Sequence, residues 1–309
     1  MLCPKDRDLL DKMAHSVELG EGVLANPTDL AVLPHRNELV VADDFNGLLF
    51  FRLPTPIQPL PSLAHHIGEV KKAAGLAFNP SSKQLLVSVK PSDGSPRYIQ
   101  YLEERPAELS PLQDGLYAPS KRLELPTEPV IKDDYIRWLD VEPSNGDVYL
   151  AAGDNETAAL WKYSSAQKSW KVLLQRTGDL EHPKLLPQPP FDNVQLVLAN
   201  WDLESKWSLR RLTFDAEDKL VAEERLLGTS KEFQEPWSLG LDRERQLLCY
   251  YEYLSGNLFK SLGPAFTDPT LAGTLMAGQW TSIALHKDWI FVSAMDERKV
   301  FGYRPRTDY

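Results

Sequence analysis

The sequence predicts an all-β fold, a six-bladed β-propeller of four-stranded antiparallel blades. Three observations carry this expectation. Short apolar runs rich in Val, Leu, Phe and Tyr recur along the 309 residues, separated by clusters of Pro, Asn, Asp and Gly. That is the chemistry of strands joined by tight turns. The order strand, turn, strand, turn, strand returns six times, on first-strand anchors Leu30, Leu76, Leu139, Leu186, Leu239 and Ile283, spaced 44 to 63 residues apart. Such spacing suits propeller blades with insertions after the first two. Finally, only residues 5–13 carry a short helical pattern. A large β-sandwich would also hold many strands, but it has no need of one order repeated six times.

Blade one is the plainest. In residues 26–53, LAVL, ELVVAD and LLFFRL are strands, and PHRN and DFNG are the turns between them. A single meander cannot bury both of its faces, whereas repeated meanders bury one another. The Pro-rich link that follows, PTPIQPLPSLAHHIGEV, is expected to supply the fourth strand. Blade two offers GLAFNP, LLVSVK and YIQYLEE, with KRLELP as its outer strand. Blade three shows all four strands between 135 and 175. Blade four spans 181–228 and begins poorly, at EHPKLLPQPP. Blade five spans 235–263, with TLAGTL beyond it as an outer strand. Blade six spans 279–304 and has only three strands. The orphan HSVEL near the N-terminus is expected to complete it, closing the ring and removing open sheet edges. The expected division is therefore an extension over 1–13 and the propeller over 14–309.

Composition bounds the function. Apolar residues make up 42% and charged residues 25% of the chain, with a formal net charge of −10. No window approaches the roughly 18 apolar residues of a membrane helix, so no membrane partner is expected. The start, MLCPKDRDLLDKMAH, lacks the apolar stretch of a signal peptide and reads as a domain start. The two cysteines, Cys3 and Cys249, make no disulfide framework. With a buried thiol expected at Cys249, a reducing, cytoplasmic setting is the expectation. The sequon at Asn155 then reads as chance. The negative balance opposes sequence-independent nucleic-acid binding, which needs positive surface.

Residues 27–51 carry a recognisable pattern: Pro27, Leu30, Ala31, Val32, the ELVVAD run through Asp43, Asn46 and Phe51, preceded by VELGEGVLANP. This resembles an NHL repeat. The match is partial in PWSLGLD and QWTSIALH and weak in blades two to four. The VAD signature departs to VSV, LAA, LAN, YYE and VSA. NHL propellers commonly form the C-terminal domain of tripartite-motif ubiquitin ligases. The resemblance therefore implies recruitment of a protein substrate or of single-stranded RNA on the face formed by first-strand starts and second-to-third-strand turns. No RING or B-box cysteine pattern accompanies it.

On that face the sequence places aromatic residues and acids. The candidate partner-binding residues are Asp43, Asp44, Asn46, Trp138, Asp154, Trp201, Lys206, Trp207, Trp237, Tyr253, Trp280 and Arg298. Exposed aromatic and Arg side chains bury much area at low entropic cost. Turn carboxylates outnumber cations, which suits a basic or mixed protein or peptide partner. Two blander readings stand beside this one: the Trp residues pack between blades, and the acids bond their own turns. No catalytic residue is expected. Single-stranded RNA is the second reading, resting on Lys206, Trp207, Arg210 and Arg211, with Lys71, Lys72, Lys121 and Arg122. A calcium-dependent hydrolase of the gluconolactonase or paraoxonase type is the third. It would draw Ca²⁺ ligands from Asn26, Asp29, Asp134 and Glu235. Lys184 and Trp280 stand where that pattern wants oxygen donors, and no cofactor is expected.

Overall fold

The computed structural model describes residues 13–105, 116–131, 136–154, 156–187, 193–202, 206–227, 236–252, 255–263, 266, 270–275 and 280–305. They form six four-stranded antiparallel sheets in a ring, a six-bladed β-propeller. Among the described residues the only helical segment is a 3₁₀ turn, Pro34–Arg36.

Blade one is β2 (Pro27–Leu33), β3 (Glu38–Asp43), β4 (Gly47–Arg52) and β5 (Ser62–Ile67). Blade two is β6 (Ala73–Asn79), β7 (Gln84–Val89), β8 (Tyr98–Glu104) and β9 (Tyr117–Glu124). Blade three is β10 (Ile136–Val141), β11 (Val148–Gly153), β12 (Ala158–Ser164) and β13 (Ser169–Arg176). Blade four is β14 (Asp179–Leu185), β15 (Val194–Asp202), β16 (Lys206–Phe214) and β17 (Leu220–Leu227). Blade five is β18 (Pro236–Asp242), β19 (Leu247–Glu252), β20 (Asn257–Leu262) and β21 (Thr270–Thr274). Blade six is β22 (Trp280–His286), β23 (Trp289–Ala294) and β24 (Lys299–Pro305), completed by β1 (Met13–Leu19). As expected, β1 pairs antiparallel with β24, with Val17 opposite Gly302 and Leu19 opposite Val300. The ring therefore closes on non-covalent hydrogen bonds between the two ends of the described chain.

The second strands are buried on both faces, as in β3 and β11, where all six residues are buried. This is why they read as unbroken apolar runs. The core is divided among the six clefts between neighbouring blades. Val40, Phe50 and Leu76 join blades one and two; Leu86, Leu150 and Trp161 join two and three; Leu160 and Leu198 join three and four. Between four and five, Val197 packs with Leu239 and Tyr250. Cys249 and Val292 sit between five and six, and Leu49 and Phe291 between six and one. Each sheet hides its apolar faces only by lying against two others.

The sequence expectation errs in blade four. Its first strand starts two residues before the expected unit, at Asp179, and Leu186 lies one residue past its end rather than anchoring it. Leu185 is the residue paired with Leu196. The expected helix over 5–13 falls outside the described residues up to Met13, which begins β1. Loop chemistry is well matched. Gly47 closes the DDFNG turn at φ +86°, and a Cβ there would stand 2.4 Å from the Ile67 carbonyl oxygen. Only glycine fits that corner.

Candidate functional site

Two ends of the ring are chemically distinct. The upper rim is where first strands begin and second strands turn into third strands. The lower mouth is where first strands turn into second strands. The first strands β2, β6, β10, β14, β18 and β22 contact one another around the central channel.

Each first strand carries a bulge near its upper end. The ladder skips between Pro27 and Asp29, Ala73 and Leu76, Ile136 and Trp138, Glu181 and Lys184, Pro236 and Ser238, and Trp280 and Ser282. A bulge bends its strand and re-aims the following side chains. Six of them therefore shape the upper channel, a feature that the apolar pattern did not reveal.

On the upper rim, Asp43 is fully buried. Its Oδ2 accepts from the backbone N–H groups of Ala25 (2.7 Å) and Asn26 (2.8 Å), and its Oδ1 from Phe45 (3.1 Å) and Asn46 (2.8 Å). Its two oxygens are engaged in tying the turn to the segment before β2, so its expected role as a partner contact is corrected to a latch. Asp154 acts likewise, accepting from the backbone of Glu156 and Thr157. Trp138 is also corrected. It is 7% exposed and stacks on His182 at 3.6 Å between ring centroids, so it packs between blades three and four. Asp44 and Asn46 are half-buried, the Asn46 amide donating to the Val23 carbonyl oxygen at 2.8 Å. Trp201 and Trp207 face each other across β15 and β16, both half-buried. Arg298 is exposed at the β23–β24 turn. Tyr253 and the side chains of Lys206, Trp237 and Trp280 lie outside the described residues. The residue that the sequence reading passed over is Phe45. It projects from the latched turn with 63% of its surface exposed.

The cations expected to serve RNA are mostly paired. Arg210 donates to Ser208 Oγ at 3.0 Å and approaches Glu223, while Arg211 bonds Glu224. Lys121 and Arg122 lie over the rings of Tyr101 and Tyr98. For the calcium set, Asp29 has its oxygens committed: Oδ1 accepts from Leu30 N–H and Ser282 Oγ–H, and Oδ2 from Leu76 N–H at 2.6 Å. Burial pushes this carboxyl above the ordinary carboxylate range, against the opposing pull of the Lys184 charge. Asn26 is half-buried, and Asp134 and Glu235 lie outside the described residues. Among the described residues, no three His, Cys, Asp or Glu groups converge on a metal position.

The lower mouth opens into a cavity of about 630 Å³ on the channel axis. Its walls are the first strands of blades one, two and six, with Leu241 and the Asp242–Arg245 turn of blade five, and Asp140 and Lys184 inside. Asp140 accepts from the N–H groups of Val141 and Leu185 and pairs with Arg243 at 2.7 Å. The Arg243 guanidinium also donates to the Leu185 and Val141 carbonyl oxygens.

No protein-family model matches the sequence, and no curated relative does. Solved structures do resemble it. A chain in the crystal structure of a nidogen/laminin complex aligns over 86% of this chain and 88% of its own length, with a TM-score of 0.59 at 13% identity. A chain of the hydrazine synthase of Kuenenia stuttgartiensis covers 92% and 97%, at 0.56 and 10%. Sqt1 of Saccharomyces cerevisiae covers 94% and 98%, at 0.51 and 8%. At such identities the likeness shows a shared β-propeller fold, which is compatible with protein binding. No described helix is long and apolar enough to cross a membrane.

Proposed function

We propose that the propeller is a non-catalytic recognition platform that takes a protein or peptide, of basic or mixed charge, on its upper rim. The observation that carries this reading is Phe45, an exposed aromatic on a turn latched by two hydrogen bonds to Asp43, which ties the turn to the Ala25–Asn26 segment through two more. A rigid apolar anchor loses little entropy on docking. Asp44 beside it supplies negative charge, and the Trp201–Trp207 pair offers a second anchor on blade four. The nidogen/laminin neighbour, a propeller within a protein complex, supports the same class of partner. The NHL-like pattern of blade one extends the proposal to substrate recruitment by a ubiquitin ligase. Two cysteines in 309 residues, with Cys249 a buried free thiol, support a cytoplasmic setting.

The test is a photo-crosslinking amino acid at position 45 and, as control, at exposed position 57 on the opposite side. The captured protein is then purified and titrated. Phe45→Ala and Asp44→Lys are expected to weaken binding at least about tenfold each, in line with loss of an interface anchor. Equal capture from both positions, or unchanged affinity in both variants, would sink the reading.

A further inference from the structure

We propose that the lower channel mouth is a binding site for a small organic carboxylate, independent of the upper rim. The cavity, about 630 Å³, has the size of a small-ligand pocket. Val32, Phe78, Leu241 and Leu285, each half-buried, line it with apolar surface, and Lys184 lies in the same lining.

Hydrogen-bonding capacity selects the ligand. The acceptors of the inner channel are spent: Asp140 on two backbone N–H groups and Arg243, and Asp29 on Ser282, Leu30 and Leu76. Arg243 is held by Asp140 and two carbonyl oxygens, which engage three of its five N–H donors and anchor it to the wall. Arg245 pairs with Asp242 at 2.7 Å, and Lys287 donates to Asn37. Lys184 differs. Among the described residues, its ammonium has neither a hydrogen bond nor an ion pair, although it lines the cavity and its charge is felt at Asp29 and His182. An ammonium has three donors and no acceptor, so the site asks for an acceptor. Four cationic side chains against three carboxylates make the lining locally positive on a chain of net charge −10. The carboxylates of Asp140, Asp242 and Glu244 disfavour a dianion such as phosphate, and the apolar walls favour a hydrocarbon body. A monoanionic carboxylate with an aromatic or short aliphatic body meets every condition.

The experiment titrates the full chain by calorimetry with benzoate and octanoate, and with benzylamine, benzamide and inorganic phosphate as comparisons. The carboxylates are expected to bind at least tenfold more tightly than the others. Lys184→Met, which keeps the methylene stem, is expected to weaken benzoate at least tenfold, while Phe45→Ala leaves it unchanged. A readout without any variant uses reductive ¹³C-methylation of lysines. The Lys184 methyl resonance is expected to move on benzoate addition, and benzoate is expected to slow its labelling. No carboxylate binding at millimolar concentration would overturn the proposal. So would tighter binding of phosphate or benzylamine, equal benzoate affinity in Lys184→Met, or an unmoved Lys184 resonance.

Discussion

The upper rim and the lower mouth use the same side chains for opposite ends. On the rim, Asp43 and Asp154 turn inward and bond backbone N–H groups, leaving the display to an apolar ring, Phe45. At the mouth, Asp140 fixes Arg243 across blades three and five, while Lys184 in the same lining has no hydrogen bond or ion pair among the described residues. A carboxylate near a binding surface is therefore no sign of what that surface binds. What matters is which donors and acceptors remain after the fold has taken its share.

The strongest way to separate the two ends is to remove their carboxylates. Asp43→Ala strands four N–H groups and is expected to cost about 3 kcal/mol in urea unfolding, since each unsatisfied buried group carries its own desolvation penalty. Asp140→Ala is expected to cost less, about 2 kcal/mol. It leaves Arg243 unpaired, but that side chain is a quarter exposed, so water offsets part of the loss. If Asp140→Ala proves the costlier, the channel pair and not the rim latch holds the ring.

Acid tests the interior more gently. Burial holds His182 well below the ordinary imidazole range, and holds His65, stacked on Phe50, at about 4. Both are neutral in the fold, while the unfolded chain takes up protons at an ordinary histidine pKa of about 6.5. Stability is then full above about 6.5 and declines as pH falls from there toward 4. A denaturation midpoint flat over that window would show that these histidines are not buried as described. Smallest of all, Phe45→Ala and Lys184→Met are each expected to change stability by less than about 0.5 kcal/mol, because neither side chain has a hydrogen bond or ion pair among the described residues, and the Lys184 charge, which favours the Asp29 carboxylate, disfavours a charged His182. A larger loss in either would mean that its end of the ring is structural.

Legibility followed burial. Strands sandwiched between two sheets, such as ELVVAD and VYLAAG, announce themselves as apolar runs, because both of their faces must be dry. Outer strands such as β13, SWKVLLQR, have mixed exposure and a weaker signal. Blade four was misread at its start, because His182 and Pro183 sit in a bulge that breaks the alternation. In the site, Asp44 and Asn46 were found as rim residues, but Trp138 looked like an anchor and proved to be packing. A tryptophan's letter does not say whether a His from the next blade will cover it.

Six blades, their inner strands and their turns follow from local chemistry, because hydrophobic period and turn preference act over a few residues. The closing strand was also readable, since HSVEL had no partner nearby and blade six lacked one. Which charges stay free was decided only when the ring closed. Asp140 meets Arg243 across 103 residues, and Asp29 meets Ser282 across 253. The members of such a pair lie far apart in sequence, so only the assembled channel shows that Lys184 is left over among the described residues.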